Sequence, residues 1–300
     1  MASIQTTLQV PEFLYPTINK IFGTNMKERL EWEDSGYQVS TSDKAYIDDR
    51  ERASTGPARV KNEGELAELD SGSVGFGKRY TMTAYGLRIT VSEEMIRFCQ
   101  YDEVVDGAKD CTQSLKLNQE YTAADPFIKA YTSGYNGGDG VTFASASHPL
   151  VNGGTFTNQL SVFMSLSETA VETMCTNARR MPDSNGYQVN GFKIQKLVVP
   201  PELEFDVMRI LKSANQNDTA NNAINALKSK NIDFHVNTYL TATDEWMGIT
   251  NAKVGLRFIW AVKPELRDDN DQIRYTKTFS GYQNYDCGWT DPRGVFFSNT

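Results

Sequence analysis

The sequence is short of what an enzyme or a reader of nucleic-acid sequence needs. Only two histidines, His148 and His235, occur in 300 residues, which leaves few candidates for general acid-base chemistry. The four cysteines, Cys99, Cys111, Cys175 and Cys287, stand far apart, with no Cys-x-x-Cys and no Cys and His at metal-ligand spacing. That excludes a zinc site of the usual pattern and predicts free thiols in a reducing compartment. No run approaches the roughly 18 apolar residues of a membrane span, and Met1-Ala2-Ser3-Ile4-Gln5 lacks the basic-then-apolar order of a secretion signal. Cations are also in deficit: 30 Lys and Arg stand against 38 Asp and Glu, a net charge of -8. Gripping nucleic acid over a whole surface needs the opposite balance, whereas a container whose wall merely tolerates packed DNA does not.

What is present reads as a folded α+β chain, 39 % hydrophobic and 11 % aromatic, enough to offset chain entropy. Residues 1–34 scatter Phe13, Tyr15, Phe22 and Trp32 among Pro11, Pro16 and Gly23, too few aromatics in a row for their own core. This predicts an arm that packs against something else. Residues 37–85 are polar and charge-dense, with Asp48-Asp49-Arg50-Glu51-Arg52, and predict a long two-stranded projection. A phase slip at Gly86 between Tyr80-Met82-Ala84 and Leu87-Ile89-Val91 predicts a bulge there.

Val104, Ala108, Cys111, Leu115, Leu117, Tyr121 and Ala124 repeat at helical spacing and predict a helix of about six turns, broken or kinked at Asp125-Pro126. Ser165 and Glu168 form a capping box for a second helix whose buried stripe is Ala170, Val171, Met174, Cys175 and Ala178, ending at Met181-Pro182. Asn190-Gly191 predicts a hairpin turn, Leu197-Val198-Val199 a buried strand, and Pro201-Glu202 a helix start burying Leu203, Val207, Ile210 and Leu211. Ile232-Phe234-Val236 and Val254 to Val262 alternate as strands, and Asp268 to Asp271 read as a turn into a last antiparallel leg.

No constellation carries chemistry. His148 beside Ser145 and Ser147 lacks G-x-S-x-G and a visible orienting acid, so a loop histidine before Pro149 is the plainer reading than a hydrolase. His235, on one parity with Asp233 and Asn237, reads as a surface or interface residue. The acidic run Asp268 to Asp271 lacks the Gly and distal Glu of a calcium loop, and no phosphate-binding loop exists. Catalytic, cofactor and metal residues are therefore expected to be none.

The order of motifs resembles the major capsid proteins of tailed bacteriophages, the fold named after coliphage Hong Kong 97. The carriers are Gly86-Leu87-Arg88-Ile89-Thr90-Val91-Ser92-Glu93, then Phe143-Ala144-Ser145-Ala146-Ser147-His148-Pro149-Leu150-Val151-Asn152-Gly153-Gly154-Thr155 with Asn158. Leu166 to Ala170, Leu197 to Glu204, Tyr239-Leu240-Thr241 with Trp246, and Gly288-Trp289-Thr290-Asp291-Pro292-Arg293-Gly294 complete the series. The resemblance implies an N-terminal arm (1–36), an extended loop (37–85), a peripheral domain with a long spine helix (86–182 and 240–300) and an axial domain (183–239). It also implies self-assembly as hexamers and pentamers into a shell around the phage genome, in the virion, after assembly in the host cytoplasm.

Phe13, Tyr15, Arg50, Glu51, Arg52, Arg59 and Lys61 become candidates for contact with neighbouring subunits. No charged scaffolding segment precedes the arm, so a separate scaffolding protein is expected, with a portal, decoration proteins as an option, and DNA touched without sequence preference. Some relatives join subunits through a Lys to Asn bond; Lys44, Lys61 and Lys78 lie near the projection, with nothing to mark an Asn partner. An encapsulin-type nanocompartment enclosing protein cargo is the alternative, and a soluble hydrolase the distant one.

Overall fold

The computed structural model describes residues 10–53, 55–67, 69, 74–92, 94–95, 101–188, 191–213, 215, 224–252, 255–271 and 274–298. In chain order the elements begin with helices α1 (Val10–Asn25) and α2 (Glu31–Asp34). Strands β1 (Gln38–Thr41), β2 (Tyr46–Arg52), β3 (Val74–Thr81) and β4 (Thr83–Ser92) follow, then helix α3 (Tyr101–Ile128). Short strands β5 (His148–Pro149) and β6 (Thr155–Phe156) lead to α4 (Glu168–Arg180), β7 (Ile194–Val199) and α5 (Glu204–Lys212). The chain closes with β8 (Asp233–Val236), β9 (Met247–Thr250), β10 (Leu256–Asp271), β11 (Thr276–Trp289) and β12 (Val295–Phe297).

One sheet has the order β1-β10-β11-β4, and α3 lies across it. The close approach needs Gly281 on β11, where a Cβ would come within 2.8 Å of Cys111 Sγ and 2.9 Å of Leu115 Cδ1. Alternate residues of β11, from Phe279 through Gly281, Gln283 and Tyr285 to Cys287, face this core. Pro264 sits inside β10 where its register with β11 slips between Val262 and Glu265, as a residue without an N–H requires.

The helix departs from its apolar pattern. Ala108, Cys111, Leu115 and Ala124 are buried as expected, but Tyr121 is 56 % exposed, while polar Lys116, Gln119 and Glu120 are buried. Each of these has a partner: Lys116 with Glu28, Gln119 with Gln283, Glu120 with the backbone of α2. The expected break at Pro126 is absent too, since α3 runs on to Ile128; a proline in the last turn removes only one hydrogen bond there.

The second sheet, β12-β9-β7-β8, carries α4 and α5. Leu197, Val198 and Val199 are fully buried in its central strand, which pairs antiparallel with β9 and parallel with β8. The expected hairpin is thus replaced by long-range partners: Phe192 and Lys193 belong to no strand, and Val189 and Asn190 fall outside the described residues. On α4 the predicted stripe Ala170, Val171, Met174, Cys175 and Ala178 is buried. Its cap, however, is Ser167, whose hydroxyl accepts Ala170 N at 3.2 Å, and not Ser165.

Four further expectations change. Helix α1 packs on its own chain, with Ile18 and Phe22 against Val91, Ala108, Leu115, Leu266 and Phe279. Trp32 and Tyr37 belong to the main core, Trp32 stacking on Phe258 at 4.0 Å, and β1 pairs with β10, so the projection proper starts only after Thr41. Strand β4 pairs with β11 in unbroken register through Gly86; the phase slip falls at Met82, where the chain passes from one sheet to another. Asp268 to Asp271 are the end of β10 and not a turn, with Asp268 facing Lys277 at 3.5 Å.

Candidate functional site

The hairpin β2–β3 is paired from Tyr46↔Thr81 to Arg52↔Val74. Because side chains alternate along a strand, Ile47, Asp49 and Glu51 face the body while Tyr46, Asp48 and Arg50 face outward. The inner face is built of charges and rings, matched on β10, on the loop after α3, and on the end of β11 with the segment that follows it. Asp49 accepts from Arg257 Nε at 2.9 Å and from Thr290 Oγ1 at 3.0 Å. The Tyr80 hydroxyl meets Thr290 Oγ1 at 2.8 Å. Lys78 Nζ sits 5.3–5.7 Å from the ring centres of Tyr80, Tyr135 and Trp289, where burial pulls its pKa down. On the outer face Arg79 grips Asp48 through two bonds of 2.6 and 2.9 Å and lies over Tyr46.

Glu51, expected to face a neighbour, is only 5 % exposed. It is bonded to Arg293 and to the Ser184 hydroxyl of its own chain. Arg293, 2 % exposed, also bonds Asp291 Oδ1 at 3.0 Å and Pro182 O at 2.8 Å, with its guanidinium 4.1 Å from the Phe156 ring centre. Arg50, Arg59 and Lys61 are exposed. The side chains of Phe13, Tyr15 and Arg52 lie outside the described residues. Beyond the hairpin base the connecting loop turns at Asn62–Glu65, where Gly64 adopts φ +82°. It bears Val60, Leu66 and Leu69 at 94 %, 96 % and 95 % exposure.

His148 is not the expected loop histidine but the first residue of β5, paired with Phe156. It is fully buried, with Nδ1 2.6 Å from Asp139 Oδ2 and Nε2 3.2 Å from Asn158 Oδ1, so neither nitrogen faces a serine. Asn158 Oδ1 accepts Ser145 N, and its Nδ2 reaches the carbonyls of Phe143, Pro292 and Val295. The motif of residues 143–158 is therefore a joint that ties a long loop to the segment carrying Arg293. His235 is half-buried on β8 with its pKa pulled down by burial; its strand-mate Asn237 is buried, accepting Tyr239 N at 2.9 Å, and not on an exposed polar face.

Sequence reading quoted Asp291 and Arg293 within the Gly288 to Gly294 motif but gave them no role, and it missed Glu120. Asp291-Pro292 did carry a signal, the capping of a short 3-10 turn in which Asp291 Oδ1 accepts Arg293 N. Among the described residues no cluster of His, Cys, Asp or Glu could hold a metal, and no helix is long and apolar enough to cross a membrane. Cys111, Cys175 and Cys287 are free and buried; Cys99 lies outside the described residues.

A long helix across a four-stranded sheet, a second sheet carrying two helices, and a docked hairpin with a bare apolar tip define a shell subunit of the Hong Kong 97-type fold. The same fold occurs in the capsid of an empty GTA particle (TM-score 0.58, 9 % identity, covering 90 % of this chain and 89 % of that one). It recurs in the procapsid of bacteriophage JBD30 (0.55, 10 %, 99 % and 76 %) and in a virus-like particle from Pyrococcus furiosus (0.55, 9 %, 95 % and 98 %). No curated protein matches the sequence. The family pattern of phage capsid proteins matches residues 77–297, and the chain belongs to that family. It is a major capsid protein, a structural subunit of the virion shell.

Proposed function

We propose that each subunit joins its shell by laying the loop between β2 and β3 on a second copy of the chain, with Val60, Leu66 and Leu69 as apolar anchors and Arg59 and Lys61 beside them. The observation that carries this is the contrast along one hairpin. Its base is fastened to the body by buried polar bonds, while its tip holds three apolar side chains in water. Burying a Leu or Val side chain contributes about 1.5–3 kcal/mol, so three anchors supply a useful fraction of a standard interface.

In this reading residues 1–36 are the arm, 42–82 the extended loop, 86–182 with 240–300 the peripheral domain, whose sheet β1 and β4 join, and 183–239 the axial domain. Hexamers and pentamers assemble in the host cytoplasm on a separate scaffolding protein, with a portal at one vertex, and enclose DNA without reading it. The subunit catalyses no reaction. The nanocompartment alternative is less favoured, because the family match is to phage capsid proteins. Replacing Leu66 and Leu69 with Asp tests the reading. Folded subunits that form no regular shells in negative-stain micrographs are expected, and normal shells from the double variant would overturn it.

A further inference from the structure

We propose that the hairpin is held to its own subunit by a proton-carrying latch, in which Glu51 and Asp291 share the single guanidinium of Arg293 in a buried site that balances only when the pair keeps one proton. The geometry sets the count. Two carboxylates 5 % and 8 % exposed meet one cation 2 % exposed, which leaves one uncompensated negative charge if both ionise. Such a charge away from water is strongly disfavoured.

The surroundings do not supply the missing cation among the described residues. From the segment after α4 come the Ser184 hydroxyl and the Pro182 carbonyl, both neutral. Beneath the guanidinium is the Phe156 ring. Behind Asp291 lies His148, which also draws the Asp291 pKa down but is paired with the Asp139 carboxylate at 2.6 Å, so that second pair adds no net compensation. On the hairpin itself, Asp49 is satisfied by Arg257, and Arg50 points to the opposite, exposed face. Burial accordingly pushes both carboxyls above the ordinary carboxylate range, against the lowering pull of Arg293.

Opening the latch has a definite proton balance. As Glu51 swings into water it ionises, its proton passes to solvent, and Asp291 stays paired one to one with Arg293. Closing therefore takes up one proton. With the closed-state pKa raised, docking has its full strength below the ordinary carboxylate range and weakens as pH rises through the raised value, by up to about tenfold per pH unit for one proton.

Hydrogen exchange of the full-length chain between pH 5 and 9, expressed as protection factors corrected for intrinsic exchange, reads this directly. The amides of β2 and β3 should lose protection by up to about tenfold per pH unit within part of that range, while those of β7 keep theirs. Glu51→Gln retains the shape and cannot ionise, so its hairpin protection should be flat; Asp291→Asn, which keeps a capping side chain, should flatten it independently if Glu51→Gln fails to fold. A wild-type hairpin whose protection does not change with pH, or a folded variant with the wild-type slope, overturns the latch.

Discussion

Cys287 on β11 points its thiol at the carbonyl of Thr122 on α3, 3.1 Å away. That carbonyl is the acceptor, four residues back, which Pro126 leaves without a backbone donor. A residue of the sheet thus completes a helix that a proline would otherwise leave short, and this accounts for the run of α3 through Pro126.

Cys287→Ala should therefore destabilise the fold by about 1–3 kcal/mol, from a buried carbonyl left unmatched. In a Pro126→Ala background, which restores the backbone N–H, the same change should be milder. Urea unfolding of the four proteins of this cycle measures the coupling; strict additivity would mean that the thiol does not serve Thr122.

Gly137 lies flat on Trp289, where an added Cβ would fall 1.9 Å from the ring. Gly137→Ala must displace an indole that is itself stacked on Phe143 at 4.5 Å. A loss of about 1–3 kcal/mol or more is expected, as for other overpacked cores, together with a changed tryptophan emission. A variant melting at the wild-type temperature would contradict the packing.

Glu120 receives the amides of Glu31 at 2.7 Å and Trp32 at 3.0 Å, yet burial pushes its carboxyl up to about 7. Since the folded value lies above the unfolded one, its contribution is complete below about 4.3 and is lost as pH rises through about 7. Wild-type stability should thus fall between about pH 5 and 8 by a term missing in Glu120→Gln. Chemical denaturation at a series of pH values compares the two slopes, and equal slopes would clear Glu120 of the effect.

Asn158 spends its amide on three buried carbonyls. Asn158→Asp keeps the shape but turns a carboxylate oxygen toward acceptors, so destabilisation above about 3 kcal/mol is expected, as for a buried unpaired charge. Asn158→Ala should be less harmful than Asn158→Asp despite its greater loss of volume. Thermal melts of both variants give the order, and the reverse order would count against this account.

Elements whose burial is apolar were legible in the sequence. The stripe Ala170 to Ala178 and the strand Leu197-Val198-Val199 follow from periodicity, because there side-chain type and burial coincide; the long helix after Tyr101 was legible only through its apolar half, Ala108, Cys111, Leu115 and Ala124. Lys116, Glu120, Glu51 and Arg293 were not legible, because each is buried through a partner distant in sequence: Lys116 and Glu28 are 88 residues apart, Glu51 and Arg293 242. Turn and cap signals were right in kind and shifted in place, as with Ser167 for Ser165, since several serines compete for one helix start. The loop that reads as the contact surface was located by its polarity, but which of its residues turn inward depended on a sheet pairing that polarity does not encode.

The pairing of Glu51 with Arg293 also imposes an order in time. At about 5–20 residues per second, a ribosome makes Arg293 roughly 10–50 s after Glu51, 242 residues later. For that interval Glu51 lacks its cation, even once Arg257, the partner of Asp49, has emerged. A polypeptide cut short before Arg293 leaves Glu51 without its cation, so only finished copies fasten the hairpin at both Asp49 and Glu51.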